Sequence, residues 1–289
     1  MTRRPGMLPF RRMTPGSVGF RFLEWYGLHG RHPGQWRVHS ALRNILRAHV
    51  DADLAVERQG LRWILNPSDF PQENLFWLGE SDRWDLFHAR RMVRPGSVIF
   101  DVGSNFGYYA LMLAAGLRQE CEVHAFEPTD ATFDRLSQHI ALNGMDCVHA
   151  HRLALSDAPG TASMHGRNGN SGAAFVELGD GGRVEVTTLD AFVAERGIRR
   201  LDFMKIDVEG FEERVLRGGE RVLRELRPTI LLEVQPVTLQ RAGSSVQRLA
   251  DLLGSHGYVL RQANRERLVP LVLSDAPGYL VNGFAVSAD

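Results

Sequence analysis

In the run MKIDVEG, Lys205, Asp207 and Glu209 alternate with Ile206 and Val208. In an extended chain these three ionisable side chains point one way. Charges gathered at a strand tip demand either partners or a ligand. A further carboxylate, Glu233, closes the run ILLEV. Such a set suits proton removal, because a carboxylate that takes the proton of an alcohol makes it a competent nucleophile, commonly worth ~10²- to 10⁴-fold. Glu209, Asp207 and Glu233 are therefore the candidate bases, with Lys205 as a positioning charge. The competing reading is structural: Lys205 buried against Asp207 or Glu233, and Glu209 capping a helix. Lys205 is the sole lysine of a chain with 34 basic residues. Substitution toward arginine has spared it.

A second constellation lies upstream in VIFDVGSNFGYYA, residues 98 to 110. An apolar strand runs into Asp101, Gly103 and Gly107, and then into a helix-like apolar stretch. Dinucleotide sites require G-x-G-x-x-G, which is absent here. A pyrophosphate would also be repelled by the Asp101 carboxylate. S-adenosylmethionine (SAM) carries an ammonium, a sulfonium and no phosphate, so an acidic side chain beside the glycines suits it. Glycine at this point lets backbone approach a ligand closely. Glu127 ends the next strand, in EVHAFEP, where a carboxylate can accept both ribose hydroxyls. Glu127 thus indicates an adenosine, and Asp101 selects SAM over NAD. The loop residues Asp101, Gly103, Ser104 and Asn105, with Glu127 and Asp207, form the expected cofactor site.

The elements that must position these residues alternate along the chain. Strands are expected at 98–102, 122–126, 147–154, 183–188, 201–206 and 229–234. Helices are expected at 106–116, 130–142, 211–226 and 244–256, and a Gly-rich interruption at 159–182. Two last strands, near 258–262 and 279–286, follow without a helix between them. Such alternation implies an α/β fold with a parallel sheet covered on both faces, ending in an antiparallel edge. Ahead of it, 80–93 reads as a helix, 54–65 as two strands about Gln59-Gly60, and 40–50 as a helix. Residues 1–35, rich in Gly, Pro and Arg, are expected to be partly disordered. The expected division is an N-terminal arm and helix, 1–54, and a main domain, 55–289.

Composition bounds the partners. The 289 residues carry balanced charge, 34 basic against 34 acidic, which argues against a nucleic-acid surface. No apolar run reaches the ~18 to 20 residues that span a bilayer. The Arg-rich start lacks the apolar core of a secretory signal. Cys121 and Cys147 lack metal-ligand spacing and suit free thiols in a reducing compartment, so a cytoplasmic protein is expected.

The blocks VIFDVGSNFGYYAL, FEP, ALSD, TLDAF, LDFMKIDVEGFEERVLRG and PTILLEV together resemble the FkbM family of SAM-dependent methyltransferases. The resemblance spans residues 55 to 262 and is most specific at KIDVEG. It implies the class I methyltransferase fold, a Rossmann-like sandwich around a mostly parallel seven-stranded sheet with one antiparallel edge strand. It also implies O-methylation of a hydroxyl on a small molecule or glycan. Ser104 departs from the family's usual small Ala. Ala154 stands where many class I enzymes place an acidic residue for adenine, so backbone groups at Leu153 and Ala154 are expected to recognise the base. The acidic residue nearby, Asp157, reads as part of a turn.

His165, Asn168, Asn170 and Ser171 sit in the Gly-rich stretch SMHGRNGNSGAAF, which reads either as a lid carrying substrate contacts or as a plain hairpin loop. His149 and His151 share a strand face and read as core or surface histidines. Asp207, Glu209 and Glu233 could also offer oxygen ligands to Mg²⁺. Their spacing matches no metal motif, and none is expected. Two other function classes compete with a methyltransferase: a non-catalytic SAM-fold binding module and, less favoured by Asp101, an NAD-dependent oxidoreductase.

Overall fold

The computed structural model describes residues 18–30, 32–45, 52–167, 170–178, 183–276 and 278–288, with backbone alone for 44–45, 164–167 and 170–178. The chain forms two compact units, Met1–Ser81 and Asp82–Asp289.

In the first unit, α1 (Val18–His29) and α2 (Gln35–Ile45) lead to the hairpin β1 (Leu54–Arg58) and β2 (Leu61–Leu65), then to α3 (Phe70–Leu78). Composition suggests irregular chain through residue 35, yet Phe20, Leu23 and Gly27 share one helical face and are buried. Phe20 packs 4.8 Å from the Trp77 ring. A Cβ on Gly27 would stand 2.0 Å from the Trp77 carbonyl oxygen, so helix and chain touch there. The helix expected at 40–50 begins earlier, at Gln35; residues 46–50 lie outside the described part. The hairpin turns on Gln59 and Gly60, both at positive φ (53° and 77°), the geometry that matches strand twist. Its Arg58 donates from Nε to the Phe76 carbonyl at 3.0 Å, which ties the hairpin to α3. The hairpin thus belongs to the first unit, and the units divide at Ser81, where the sequence places the division at residue 54.

The second unit opens with α4 (Arg83–Met92), β3 (Ser97–Val102), α5 (Tyr108–Gly116), β4 (Cys121–Phe126), α6 (Asp130–Asn143) and β5 (Val148–His151). Next come β6 (Ala154–Leu155), β7 (Gly160–Arg167), β8 (Asn170–Leu178), β9 (Val184–Thr187) and α7 (Leu189–Glu195). The chain continues through β10 (Phe203–Ile206), α8 (Glu212–Arg217), α9 (Glu220–Glu225), β11 (Thr229–Val234), α10 (Pro236–Arg241) and α11 (Val246–Ser255). It closes with β12 (Tyr258–Asn264), β13 (Arg267–Pro270) and β14 (Val281–Ser287).

The main sheet has the order β13-β12-β14-β11-β10-β3-β4-β5. Strands β11, β10, β3, β4 and β5 run parallel, and β14 is antiparallel to both β11 and β12. This is the class I methyltransferase arrangement, with two differences from expectation. The antiparallel strand β14 is interior, wedged between β11 and β12. An eighth strand, β13, forms the edge, because β12 folds straight back on itself through Asn264–Arg267 pairing. The strand order reverses between β3 and β10, which puts the glycine loop at the switch point where α/β sheets bind ligands.

Glycines account for another difference. The helix expected over 211–226 is two helices, broken at Gly218–Gly219. A Cβ on Gly218 would lie 2.0 Å from the Ser156 carbonyl oxygen, and one on Gly219 would lie 2.4 Å from Leu189. The Gly-rich interruption also forms strands: β7 and β8 pair antiparallel and join β6 and β9 in a four-stranded layer. No helix among the described residues is long and apolar enough to cross a membrane.

Candidate active site

The loop after β3 is built from left-handed backbone at Gly103 (φ 74°), Asn105 (φ 51°) and Gly107 (φ 91°). Gly103 admits no substitute, since a Cβ there would meet the Asp207 carbonyl oxygen at 1.8 Å. Neighbouring strand tips therefore touch backbone to backbone. The amides of Gly103 and Ser104 both donate to the Phe126 carbonyl, at 3.0 and 2.9 Å, and so bind the loop to β4.

Asp101, on β3, is 1% exposed and works inside this loop. Its Oδ2 accepts from the Ser104 hydroxyl (2.7 Å) and from the Ala110 amide in the first turn of α5 (3.0 Å). Ser104, which departs from the family's usual Ala, thus adds a hydrogen bond that Ala could not make. Asp101 Oδ1 accepts no hydrogen bond and faces Lys205 Nζ at 3.7 Å.

Glu127, just past β4, is almost fully buried. Its Oε1 accepts from the Thr129 amide (2.9 Å) and the Thr132 hydroxyl (2.7 Å), and its Oε2 from the Asn105 amide (2.9 Å). Burial pushes its carboxyl above the usual range, against the pull of those hydrogen bonds. A carboxylate oxygen offers two acceptor directions, so Oε2 keeps one for a ligand hydroxyl. Ala154 opens β6 and is 5% exposed, and the Leu153 amide is already taken by the His151 carbonyl (3.0 Å). The residues present fit a nucleoside with a cationic tail: a carboxylate with acceptor capacity, and a second carboxylate beneath the glycine loop.

The tips of β10 and β11 carry the remaining acids. Lys205 Nζ donates to the Gly103 carbonyl at 2.8 Å, pairs with Asp207 Oδ2 at 3.2 Å, and lies 5.6 Å from the Tyr109 ring centre. Burial pulls this ammonium down, but Asp207, Asp101 and Glu233 outweigh it and raise it above its ordinary value. Lys205 is thus cationic and locks the glycine loop to the tip of β10. Glu209 is half-buried in a left-handed conformation (φ 55°), and its carbonyl accepts from Arg241 at 2.9 Å. The turn is fixed beyond it too, because a Cβ on Gly210 would stand 2.2 Å from the Thr238 carbonyl oxygen. Glu233 is pushed well above the carboxylate range, first by burial and then by Asp207, Glu212 and Glu209, with Lys205 opposing.

Four residues here have no counterpart among the sequence candidates: Glu212, Tyr109, Asp85 and Asn282. Glu212 is 1% exposed and accepts the Val208 and Gly210 amides on Oε1, at 3.1 and 3.2 Å. It clamps the turn that carries Glu209, the capping task the structural reading assigned to Glu209. Its place in the first turn of α8 was the available signal. Burial, as its main cause, raises its carboxyl to about 7. Tyr109, second of the paired tyrosines, looks like core in the sequence, yet its buried hydroxyl has no hydrogen-bond partner.

Other candidates fall elsewhere. His165, Asn170 and Ser171 lie on the β7–β8 hairpin, where only backbone is described, and Asn168 lies outside the described residues. His151 and His124 meet ring to ring at 3.0 Å beneath Phe126 and Phe192, and burial chiefly lowers both, His151 to about 4. Asp157 sits after β6 and pairs at 3.5 Å with Arg214. Among the described residues no three His, Cys, Asp or Glu side chains converge as metal ligands. A cleft of about 320 Å³ between α7 and α9, lined by Arg199 and Arg221 among others, contains none of the candidate residues.

The sequence is similar to those of several known methyltransferases. Over 214 residues the chain is 29% identical to the 31-O-demethyl-FK506 methyltransferase FkbM of Streptomyces tacrolimicus, which covers 62% of this chain and 79% of that protein. It is 26% identical over 185 residues to the 2-O-methyltransferase NoeI of Sinorhizobium fredii, covering 57% of this chain and 74% of the relative. With the hexuronic acid methyltransferase AglP of Haloferax volcanii it shares 29% identity over 140 residues, 46% of this chain and 54% of that protein. Residues 101–260 match the Methyltransferase FkbM domain. That match spans more than half the chain and begins on Asp101 itself, where the glycine loop opens, and this chain belongs to the FkbM family of SAM-dependent methyltransferases.

Proposed function

We propose that this chain transfers a methyl group from SAM to a hydroxyl of a small molecule or sugar, with Glu209 as the general base. The observation that carries the choice of base is the turn at Glu209. A non-glycine residue held at φ 55° by Arg241, Gly210 and Glu212 is strained backbone beside the glycine loop, and such strain persists where geometry is over-determined for function. The printed names of two relatives, one a 31-O-demethyl-FK506 methyltransferase and one a 2-O-methyltransferase, support oxygen as the acceptor atom.

When bound, SAM supplies an electrophilic methyl carbon on a sulfonium. Glu127 would accept ribose hydroxyls, and the loop Asp101, Gly103, Ser104 and Asn105 would hold the methionine portion. The Leu153 carbonyl and the backbone of Ala154 would receive the adenine. Lys205 and Asp207 hold the loop and the β10 tip in register, so that the acceptor oxygen is presented in line with the methyl group. Glu209 takes the hydroxyl proton, and Glu233, its carboxyl held high by burial, serves the acceptor side as a hydrogen-bonding group. His165, Asn168, Asn170 and Ser171 are proposed acceptor contacts from the hairpin.

Calorimetry with S-adenosylhomocysteine and with NAD, followed by an assay for S-adenosylhomocysteine release, tests this function. Binding of S-adenosylhomocysteine but not NAD, with turnover on a hydroxyl acceptor, is expected. Glu209→Gln should keep cofactor affinity and lose ~10²-fold or more in turnover. Tight NAD binding would replace the methyltransferase by the oxidoreductase, and cofactor binding without turnover on any hydroxyl would leave the binding module.

A further inference from the structure

The carboxyl groups at the strand tips fall into two sets. The first is Asp101, Lys205 and Asp207, joined by contacts of 3.7 and 3.2 Å beside the glycine loop. With both acids ionised its net charge is minus one, which balances the plus one of SAM. The second set lies across the sheet. Lys205 pairs in register with Asp101 on one side and Leu231 on the other, and Glu233 is two residues beyond Leu231. Glu233 therefore faces the same side as Lys205. Its cross-strand partner is Asn282 on β14, whose Nδ2 donates to Asp85 Oδ2 of α4 at 2.9 Å. At ~4.8 Å per strand, Glu233 stands ~10 Å and Asn282 ~14 Å from the β3 strand that bears the loop. Both therefore lie beyond β10, on the far side from the glycine loop.

No Lys, Arg or His of the described residues forms an ion pair with Asp85 or Glu233. Between the two sets sits Tyr109, 7% exposed, its hydroxyl unpartnered and its ring against Lys205. A buried phenol without a partner is unfavourable unless a ligand satisfies it.

We propose, resting on the methyltransferase function above, that the acceptor carries a protonated amine close to its reacting hydroxyl, and that Asp85 and Glu233 hold the ammonium while Tyr109 bonds an acceptor oxygen. Acids with no ion-pair partner favour such a cation over an acceptor that bears a carboxylate. The state of the carboxyls agrees. Burial is the main cause that raises Asp85 to about 6, with Asp82 adding to it and Asn282 and His88 opposing. Burial also holds Glu233 high, with Asp207, Glu212 and Glu209 adding and Lys205 opposing. His88 is itself tied to the Arg265 carbonyl at 2.7 Å. An arriving ammonium supplies the missing countercharge, so its binding drives these carboxyls to ionise and releases protons.

The test uses the full-length protein and matched sugars: glucosamine, galactosamine and mannosamine, each against its N-acetyl counterpart, with glucuronate as an anionic arm. S-adenosylhomocysteine release gives kcat/KM, and calorimetry gives S-adenosylhomocysteine affinity separately. In at least one pair the free amine should exceed the acetylated sugar by about tenfold or more, the scale of a hydrogen bond to a charged group. Glucuronate should not be methylated. Asp85→Asn and Glu233→Gln should each erase the preference through KM, and Asp85→Asn should leave S-adenosylhomocysteine affinity unchanged, which shows that the fold is kept. Normal cofactor binding with no amine advantage in any pair, or a preference that survives both substitutions, overturns the inference and leaves the methyltransferase standing. Failure to bind S-adenosylhomocysteine overturns both.

Discussion

Glu212→Gln isolates the energetic cost of the turn that carries Glu209. Glu212 is 1% exposed, its Oε1 holds two backbone amides, and its Oε2 has no partner. Its carboxyl is raised from 4.5 to about 7, mainly by burial. Because the folded value lies above the unfolded one, the stabilising share is fully present below pH ~4.5 and is lost as pH rises through ~7. A shift of that size at 1.36 kcal/mol per pH unit amounts to about 3 kcal/mol. Glutamine keeps the oxygen that accepts the two amides and cannot ionise. Any fixed cost of its amide nitrogen at the Oε2 position is independent of pH and cancels from the comparison. Urea unfolding followed by far-UV circular dichroism, at steps from pH 4.5 to 8, gives the stability of both proteins. Wild type minus variant should fall by about 3 kcal/mol across that window. Groups that titrate in both proteins drop out of the difference. Parallel profiles would refute the buried, partnerless Oε2 and with it the clamp on the turn.

Gly103→Ala should lose cofactor binding and about 3 kcal/mol or more of stability, since the Cβ meets the Asp207 carbonyl oxygen at 1.8 Å on backbone at φ 74°. An alanine variant that titrates S-adenosylhomocysteine normally would contradict the close approach of β3 and β10. Ser104→Ala should cost about 1 to 3 kcal/mol in urea unfolding with unchanged m, because Asp101 loses the 2.7 Å hydroxyl. Glu127→Ala should weaken S-adenosylhomocysteine by ~1 to 3 kcal/mol in calorimetry. The same substitution should speed hydrogen exchange at the Asn105 and Thr129 amides, and unchanged affinity would remove Glu127 from the ribose site.

Local pattern made much of this molecule legible. The helices at 130–143 and 246–255 and the strands from 97 to 126 stand within a residue or two of where periodicity puts them, because each buries a face whose spacing is written in its own residues. The exceptions are places where a distant backbone decides. Gly218 and Gly219 are ordinary glycines in a helical pattern until the Ser156 carbonyl and Leu189 arrive against them. The stretch 159–182 looks like a loop by its glycines, but Ala162, buried between exposed Thr161 and Ser163, alternates as a strand does. Residues 18–29 are helical with Phe20 and Leu23 buried, and Phe20 finds Trp77 and Phe76, partners more than fifty residues away.

For the candidate site, residue type and spacing nominate Asp101, Gly103, Glu127, Lys205, Asp207, Glu209 and Glu233, because charged side chains at the ends of apolar strands have few roles open to them. Their division of labour depended on contacts between strands remote in sequence. Asp101 reaches Lys205 across 104 positions of chain only because β3 and β10 are neighbours in the sheet. Capping moved from Glu209 to Glu212 because the turn between them is wedged against the Thr238 carbonyl, which reverses which carboxyl points inward. Asp85 and Asn282, 197 residues apart, carry no motif at all, and their pairing exists because the fold brings α4 against the interior strand β14. A strand's own alternation determines which of its side chains share a face, whereas the charges that surround each one, and hence its proton affinity, are set by sheet order, a long-range property that local spacing does not encode.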